Sequence, residues 1–280
     1  MLSRLAGATR FHRIFTMTYQ FFAKTDTGRV RNNNEDSVVF DDAQRLLVLA
    51  DGMGGYNAGE VASSMATRFI QTEMVRWLSE VGQNVQARDV RRALQICVDN
   101  ANLEILNAAI SNPAYAGMGT TLVLAVFVQQ TLVVGHIGDS RCYRLRGGEL
   151  QAITRDHSLL QEQLDAGLVT PEEAANSTIK NLVTRALGVE VPVLLELNEF
   201  AVEPGDQYLL CSDGLTDMVS DALIAKIMES NNPLHRKAEQ LVDCANDNGG
   251  RDNISVILAS FQPEQPQRGW LNRWLSKHKS

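Results

Sequence analysis

LLVLADGMGGYNAGE, residues 46–60, is a run of five apolar residues that ends in Asp51 and passes into a turn where Gly52, Gly54 and Gly55 leave the chain almost bare of side chains. A strand entering a glycine turn often cradles a phosphate on backbone N–H groups. Neither nucleotide version fits here. Gly54 and Gly59 have P-loop spacing, but Glu60 and Val61 stand where Lys and Ser/Thr are required. Gly52 and Gly54 begin a dinucleotide fingerprint, and Asn57 replaces its third glycine. Asp51 needs another explanation, and the rest of the chain supplies the context.

Outward from this stretch, residues 36–40, 121–128, 131–137, 207–211 and 254–260 also read as strands, being short, rich in Val, Ile or Leu, and bounded by Gly, Asp or Asn. GVEVPVLLELNEFAV adds strand, with Pro192 near an edge. Helical periodicity runs through 60–78, with Val61, Met65, Phe69, Ile70, Met74, Trp77 and Leu78 as its stripe, and through 89–110, with Val90, Leu94, Cys97, Ala101, Ile105 and Ala109. A further helix is expected over 233–246. Two long consecutive helices inside a run of strands are not βαβ alternation, so the expected class is α+β. The polar, helix-prone stretch 157–182 reads as an excursion on the surface of the same domain.

With 280 residues, 44% hydrophobic and 21% charged, the chain can bury a substantial core. A net charge of −7 argues against a general nucleic-acid binder. Cys97, Cys142, Cys211 and Cys244 form no C-x-x-C pair and suit a reducing compartment, so a cytoplasmic location is expected. No apolar stretch has the length of a transmembrane span. Residues 1–18 read as an N-terminal extension, either transit-like (three arginines, no acid) or the product of an upstream start codon before Met17. Residues 262–280 form a basic tail with Trp270, Leu271, Trp274 and Leu275 on one helical face.

Asp51 is not alone. LVVGHIGDSR ends an apolar run at Asp139, and YLLCSDGLTD ends one at Asp213. Glu35 and Asp36 open a strand, and Asp252 precedes another. A single strand-end Asp is ordinary turn chemistry. Four or five gathered at one rim would repel each other unless a cation neutralised them. All-oxygen ligation suits Mg²⁺ or Mn²⁺, not Zn²⁺. Gly52, without a Cβ, can bring its carbonyl close enough to serve as a ligand. Two such ions can bridge a water and make hydroxide at neutral pH. Arg31 is the best candidate to orient a phosphoryl group, because a guanidinium binds phosphate oxygens in pairs.

TDTGRVRNNNEDS, LLVLADGMGG, GTTLV, HIGDSRCYRL, TRDHSL, TRALG, LLCSDGLTD and GGRDNISVIL occur in the order seen in bacterial PP2C-type protein phosphatases, which this chain resembles over 19–261. The resemblance implies an α-β-β-α sandwich of two antiparallel sheets flanked by helices, with a binuclear Mn²⁺ or Mg²⁺ centre. It implies Asp36, Asp51, the Gly52 carbonyl, Asp213 and Asp252 as metal ligands, with Asp51 shared. It implies Arg31 on substrate phosphate and Glu35 supporting a metal-associated water, with Arg31, Asp36 and Asp51 as the catalytic set. Asp139, with Asp213 and Asp217, matches a weaker third-metal site, and 157–187 falls where the family carries a flap. Met53 stands where animal relatives have the His proposed as general acid. His136 reads as a core residue.

The expected activity is hydrolysis of phosphoserine and phosphothreonine in proteins phosphorylated by a Ser/Thr kinase, by a monomer that binds no nucleic acid. A phosphatase dedicated to one regulator is a neighbouring reading. A phosphopeptide-binding pseudophosphatase is the rival, and the complete set of Arg31, Asp36, Asp51, Asp213 and Asp252 argues against it.

Overall fold

In the computed structural model, residues 17–55, 58–82, 84–175 and 182–263 are described. The expectations for 1–16, for Asn57 and for the basic tail from 264 onward therefore lie outside the described residues, as do residues 176–181 of the stretch matched to a flap. In chain order the elements are β1 Met17–Asp26, β2 Asp36–Asp41, β3 Leu46–Met53, α1 Ala58–Val81, α2 Ala87–Ser111, β4 Gly119–Thr120, β5 Leu122–Val128 and β6 Thr131–Ile137. They continue as β7 Arg141–Arg146, β8 Glu149–Ala152, α3 Leu159–Asp165, α4 Pro171–Ala175, β9 Glu196–Ala201, β10 Gln207–Cys211, α5 Asp213–Thr216, α6 Asp221–Glu229, α7 Leu234–Asp247 and β11 Ile254–Pro263.

Two antiparallel sheets result. One runs β1-β11-β10-β7-β8 and the other β2-β3-β5-β6-β9, with β4 paired to the end of β3. Strand alternation sorts side chains into three cores. Leu47 and Leu49 of β3 and Val123 and Phe127 of β5 meet Tyr208, Leu210, Ile257 and Phe261 between the sheets. Leu46, Val48, Ala50, Leu122 and Leu124 point the other way and pack on α1 and α2. Leu209, Cys211, Val256 and Leu258 pack on α6 and α7. Burial on both faces explains why these strands read as continuous apolar runs. The layers are α-β-β-α, as the resemblance implies.

The details differ from the sequence reading in three places. β1 and β8 were not expected, because MTYQFFAKTD and ELQA interleave polar residues. Within GVEVPVLLELNEFAV only Glu196–Ala201 is a strand. The stripe of α1 is centred on Ala58, Ala62, Ala66, Ile70, Met74 and Leu78, while Val61, Met65, Phe69 and Trp77 flank it. Small residues lead at that end because the helix begins pressed against β3. A Cβ on Gly52 would stand 2.0 Å from the Gly59 carbonyl oxygen, and one on Gly59 would stand 2.8 Å from the Gly52 carbonyl carbon.

Candidate active site

β2 and β3 place Asp36 directly opposite Asp51 in the antiparallel register. Like charges facing across a strand pair are destabilising, and the local structure nevertheless invests heavily in holding them. The Asp51 carbonyl accepts from Thr121 N at 2.8 Å and from Thr120 Oγ1 at 2.8 Å, and its N–H donates to Thr121 Oγ1 at 3.0 Å. Asp36 Oδ2 accepts from Ser212 Oγ at 2.9 Å, and that oxygen in turn accepts from Ser255 N at 3.0 Å. Asp36 Oδ1 is buried and accepts no hydrogen bond among the described residues.

From the other sheet, Asp213 opens α5 directly after β10, and Asp252 lies two residues before β11. Arg31, Glu35, Asp51, Gly52, Asp139, Asp213 and Asp252 line one cavity of about 250 Å³. Asp139 and Asp213 are also part of the wall of a neighbouring cavity of about 200 Å³, together with Asp217 and with Ser158 and Leu160 at the start of α3. Every acid singled out in the sequence is thus gathered at one end of the sandwich, and Asp217 is the outermost. The loop neighbours of Asp139 have other partners. Ser140 Oγ bonds Thr121 Oγ1 at 2.8 Å, and Arg141 forks onto Asp156 with Nη2 2.6 Å from Oδ2.

Electrostatics follow from this crowding. Burial, aided by the charge of Asp252, pushes Asp36 up to about 6. Burial, with Asp156 next, pushes Asp139 up to about 6. Asp51 and Asp213 are raised well above the ordinary carboxylate value, by burial first and then by the surrounding acids. Glu35 is also raised, again by burial first. A buried Asp36 oxygen with no donor among the described residues, in a set made only of carboxylates and the Gly52 backbone, fits hard divalent cations. Arg31 Nη2 bonds Asp252 Oδ2 at 2.7 Å with half of its side chain exposed, so nitrogens remain for an anion.

Sequence reasoning missed the residues that hold these groups. Asn253 Oδ1 accepts from Glu35 N at 2.7 Å, while Nδ2 donates to the Thr27 and Asn33 carbonyls, so one side chain ties down the loop that carries Arg31 and Glu35. Thr120, Thr121 and Ser212 act likewise on Asp51 and Asp36. The available signal was position: Ser212 and Asn253 stand beside acids in SDG and RDN, and Thr120 and Thr121 fall within GTTLV.

A carboxylate-lined pocket at one end of two stacked sheets defines the class, an acidic site suited to paired hard cations. The family model of Protein phosphatase 2C matches residues 28–259 of the chain. The chain is 41% identical over 238 residues to the serine/threonine phosphatase stp of Listeria innocua, covering 84% of this chain and 93% of that protein. Its fold matches the Mycobacterium tuberculosis serine/threonine phosphatase PstP/Ppp with a TM-score of 0.78 at 40% identity, over 87% of this chain and 99% of that one. It matches the catalytic domain of PstP in complex with two manganese ions with a TM-score of 0.78 at 39% identity, over 88% and 100% of the respective chains. The chain belongs to the protein phosphatase 2C family.

Proposed function

We propose that this protein is a metal-dependent protein phosphatase that hydrolyses phosphoserine and phosphothreonine. The observation that carries the proposal is the convergence of Asp36, Asp51, Asp139, Asp213 and Asp252 at one rim beside Arg31. Asp36, Asp51, the Gly52 carbonyl, Asp213 and Asp252 would hold two Mn²⁺ or Mg²⁺ ions, and Asp139, Asp213 and Asp217 a weaker third. Ions bound there would neutralise the carboxylates and would supply a lowered pKa for water, the chemistry that hydrolysis of a phosphate ester at neutral pH requires. Arg31 binds the phosphoryl oxygens and turns the ester into line. Glu35, held by Asn253, orients water at the mouth of the cavity. Met53 has no proton to give, so the leaving serine or threonine oxygen takes its proton from water in the cavity beside Asp139.

Substrates are proteins phosphorylated by a Ser/Thr kinase, and the enzyme works as a monomer in the cytoplasm. Supporting that compartment, Cys97, Cys142 and Cys211 are buried free thiols. The test is phosphate release from phosphoserine and phosphothreonine peptides with and without Mn²⁺. Activity that chelation removes and Mn²⁺ restores is expected. A folded protein inert with every divalent cation would overturn the proposal.

A further inference from the structure

His136, His157 and Glu196 bring one ligand-type atom each within 4.8 Å of one another, and none of the three lines the acidic cavities. They do not form a metal site. The two imidazoles are stacked, with centroids 4.6 Å apart and planes 15° apart, so their lone pairs lie in near-parallel planes and do not converge. Proton accounting excludes it as well. His157 Nδ1 accepts from Gly138 N at 3.2 Å, which puts the ring proton on Nε2, facing Glu196 Oε2 at 3.3 Å. Arg185 Nη1, itself only a donor, lies 3.3 Å from the same Nε2. With Nδ1 taken by the Gly138 N–H, the Nε2 proton goes to Glu196, and the guanidinium acts there as a charge that repels a cation, not as a hydrogen-bond donor.

The same contacts have another consequence. His157 grips Gly138 on both sides of its Cα, since its own N–H also donates to the Gly138 carbonyl at 2.9 Å. Gly138 has φ +96°, and a Cβ there would stand 2.8 Å from Thr121 Cβ, so this turn has one tight way to lie. Asp139 is the next residue. On the other side, the His157 carbonyl accepts from Thr184 N at 2.8 Å, and Ser158 caps α3 through Gln161 N at 3.2 Å.

We infer that His157 is a positioning residue: as the neutral Nε2–H tautomer it holds the Gly138 peptide and so aims Asp139 into the cavity at the root of α3. This rests on the phosphatase reading for its kinetic consequence, but the tautomer and the grip on Gly138 do not. Burial, then His136 and Arg185, keep its pKa below the ordinary value against the opposing pull of Glu196, which agrees with a neutral ring.

The test compares His157→Asn, His157→Gln and His157→Ala with the wild type. Asparagine keeps an acceptor at the δ position for Gly138 N–H. Glutamine moves its amide to the ε position, and alanine has neither. On phosphoserine peptides, His157→Asn is expected within about threefold of wild-type kcat. His157→Gln and His157→Ala should lose about tenfold or more, although all three lower the melting temperature. In metal-free wild-type protein, long-range ¹H–¹⁵N correlations should show the Nε2–H tautomer, and the Gly138 amide should exchange faster in the Gln and Ala variants than in Asn. An Nδ1–H tautomer, or kcat losses that track melting temperature across all three variants, would overturn the inference. Wild-type protein with no Mn²⁺-dependent turnover would instead overturn the phosphatase reading, and the tautomer measurement would still decide the placement of Gly138.

Discussion

Asp51 sits where a small chemical change has a large electrostatic effect. Asp51→Asn preserves size and removes a charge that four neighbouring acids make costly without a cation. Turnover should fall by at least about a hundredfold, the scale of a lost electrostatic element in a catalytic site. The melting temperature of metal-free protein should hold or rise, because a repelled carboxylate has gone. Steady-state kinetics with saturating Mn²⁺ check this, and near-wild-type turnover would refute the shared-ligand role. Arg31 is a different case. Its bond to Asp252 joins two partly exposed groups, and exposed pairs contribute only about 0–1 kcal/mol. Arg31 can therefore leave Asp252 for a phosphate at little cost. Arg31→Ala should reduce kcat/KM about tenfold to a hundredfold through loss of a charge-assisted fork, with Mn²⁺ affinity unchanged or slightly higher. Lysine should restore only part, because a point charge lacks the paired geometry. Calorimetric Mn²⁺ titration beside kinetics separates the roles; weaker Mn²⁺ binding in Arg31→Ala would reassign the residue.

The junction of β3 with α1 shows how much of the site depends on backbone packing. Gly52 and Gly59 touch main chain to main chain, and Gly52 N also donates to the Glu35 carbonyl at 3.0 Å. Gly59→Ala must push strand and helix apart, an overpacking cost of about 1–3 kcal/mol, and should displace Asp51 with it. Lower melting temperature together with weaker Mn²⁺ binding is expected, and a variant unchanged in both would mean that the contact is slack. The glycines themselves were readable in the sequence, but their mutual contact was not, because it depends on the angle at which α1 crosses the sheet. The same division holds elsewhere. β3, β5, β6 and β10 were legible because both of their faces are buried and apolar. β1 and β8 were not, since among the described residues each lies at a sheet edge, β1 pairing only with β11 and β8 only with β7, and so tolerates polar residues. The acids of the site were legible as a repeated motif at strand ends. Asn253, Thr121 and His157 were not, because a positioning residue has no signature of its own until the peptide it holds is located.

At the scale of the molecule, the acid-lined end is a store of electrostatic strain that the sandwich as a whole must overcome, and pH exposes it. Asp36 and Asp139 are raised to about 6, and Asp51 and Asp213 are raised well above the ordinary value, all chiefly by burial. In metal-free protein, the folded state therefore keeps protons that the unfolded state has released. By linkage, that contribution to stability is full below the ordinary carboxylate range and is lost as pH rises through about 6 and beyond. The two buried imidazoles act in the opposite sense. His136 and His157 are depressed by burial, so acidification below the ordinary histidine value favours the unfolded chain. Four carboxylates outweigh two imidazoles across that interval. The melting temperature of chelator-treated protein should thus rise by a few degrees from pH 7.5 to 5.5, a shift of the size expected for about 1 kcal/mol or more in a domain this large. Saturating Mn²⁺ should raise the melting temperature most at pH 7.5, where the acids are ionised and ready to bind it, and the gap should narrow toward pH 5.5 as protons compete. Scanning calorimetry at both pH values, with chelator and with Mn²⁺, decides the matter. If the metal-free protein instead melts at steadily lower temperature over that range, the carboxylates are not the desolvated, mutually repelling set on which the active site depends.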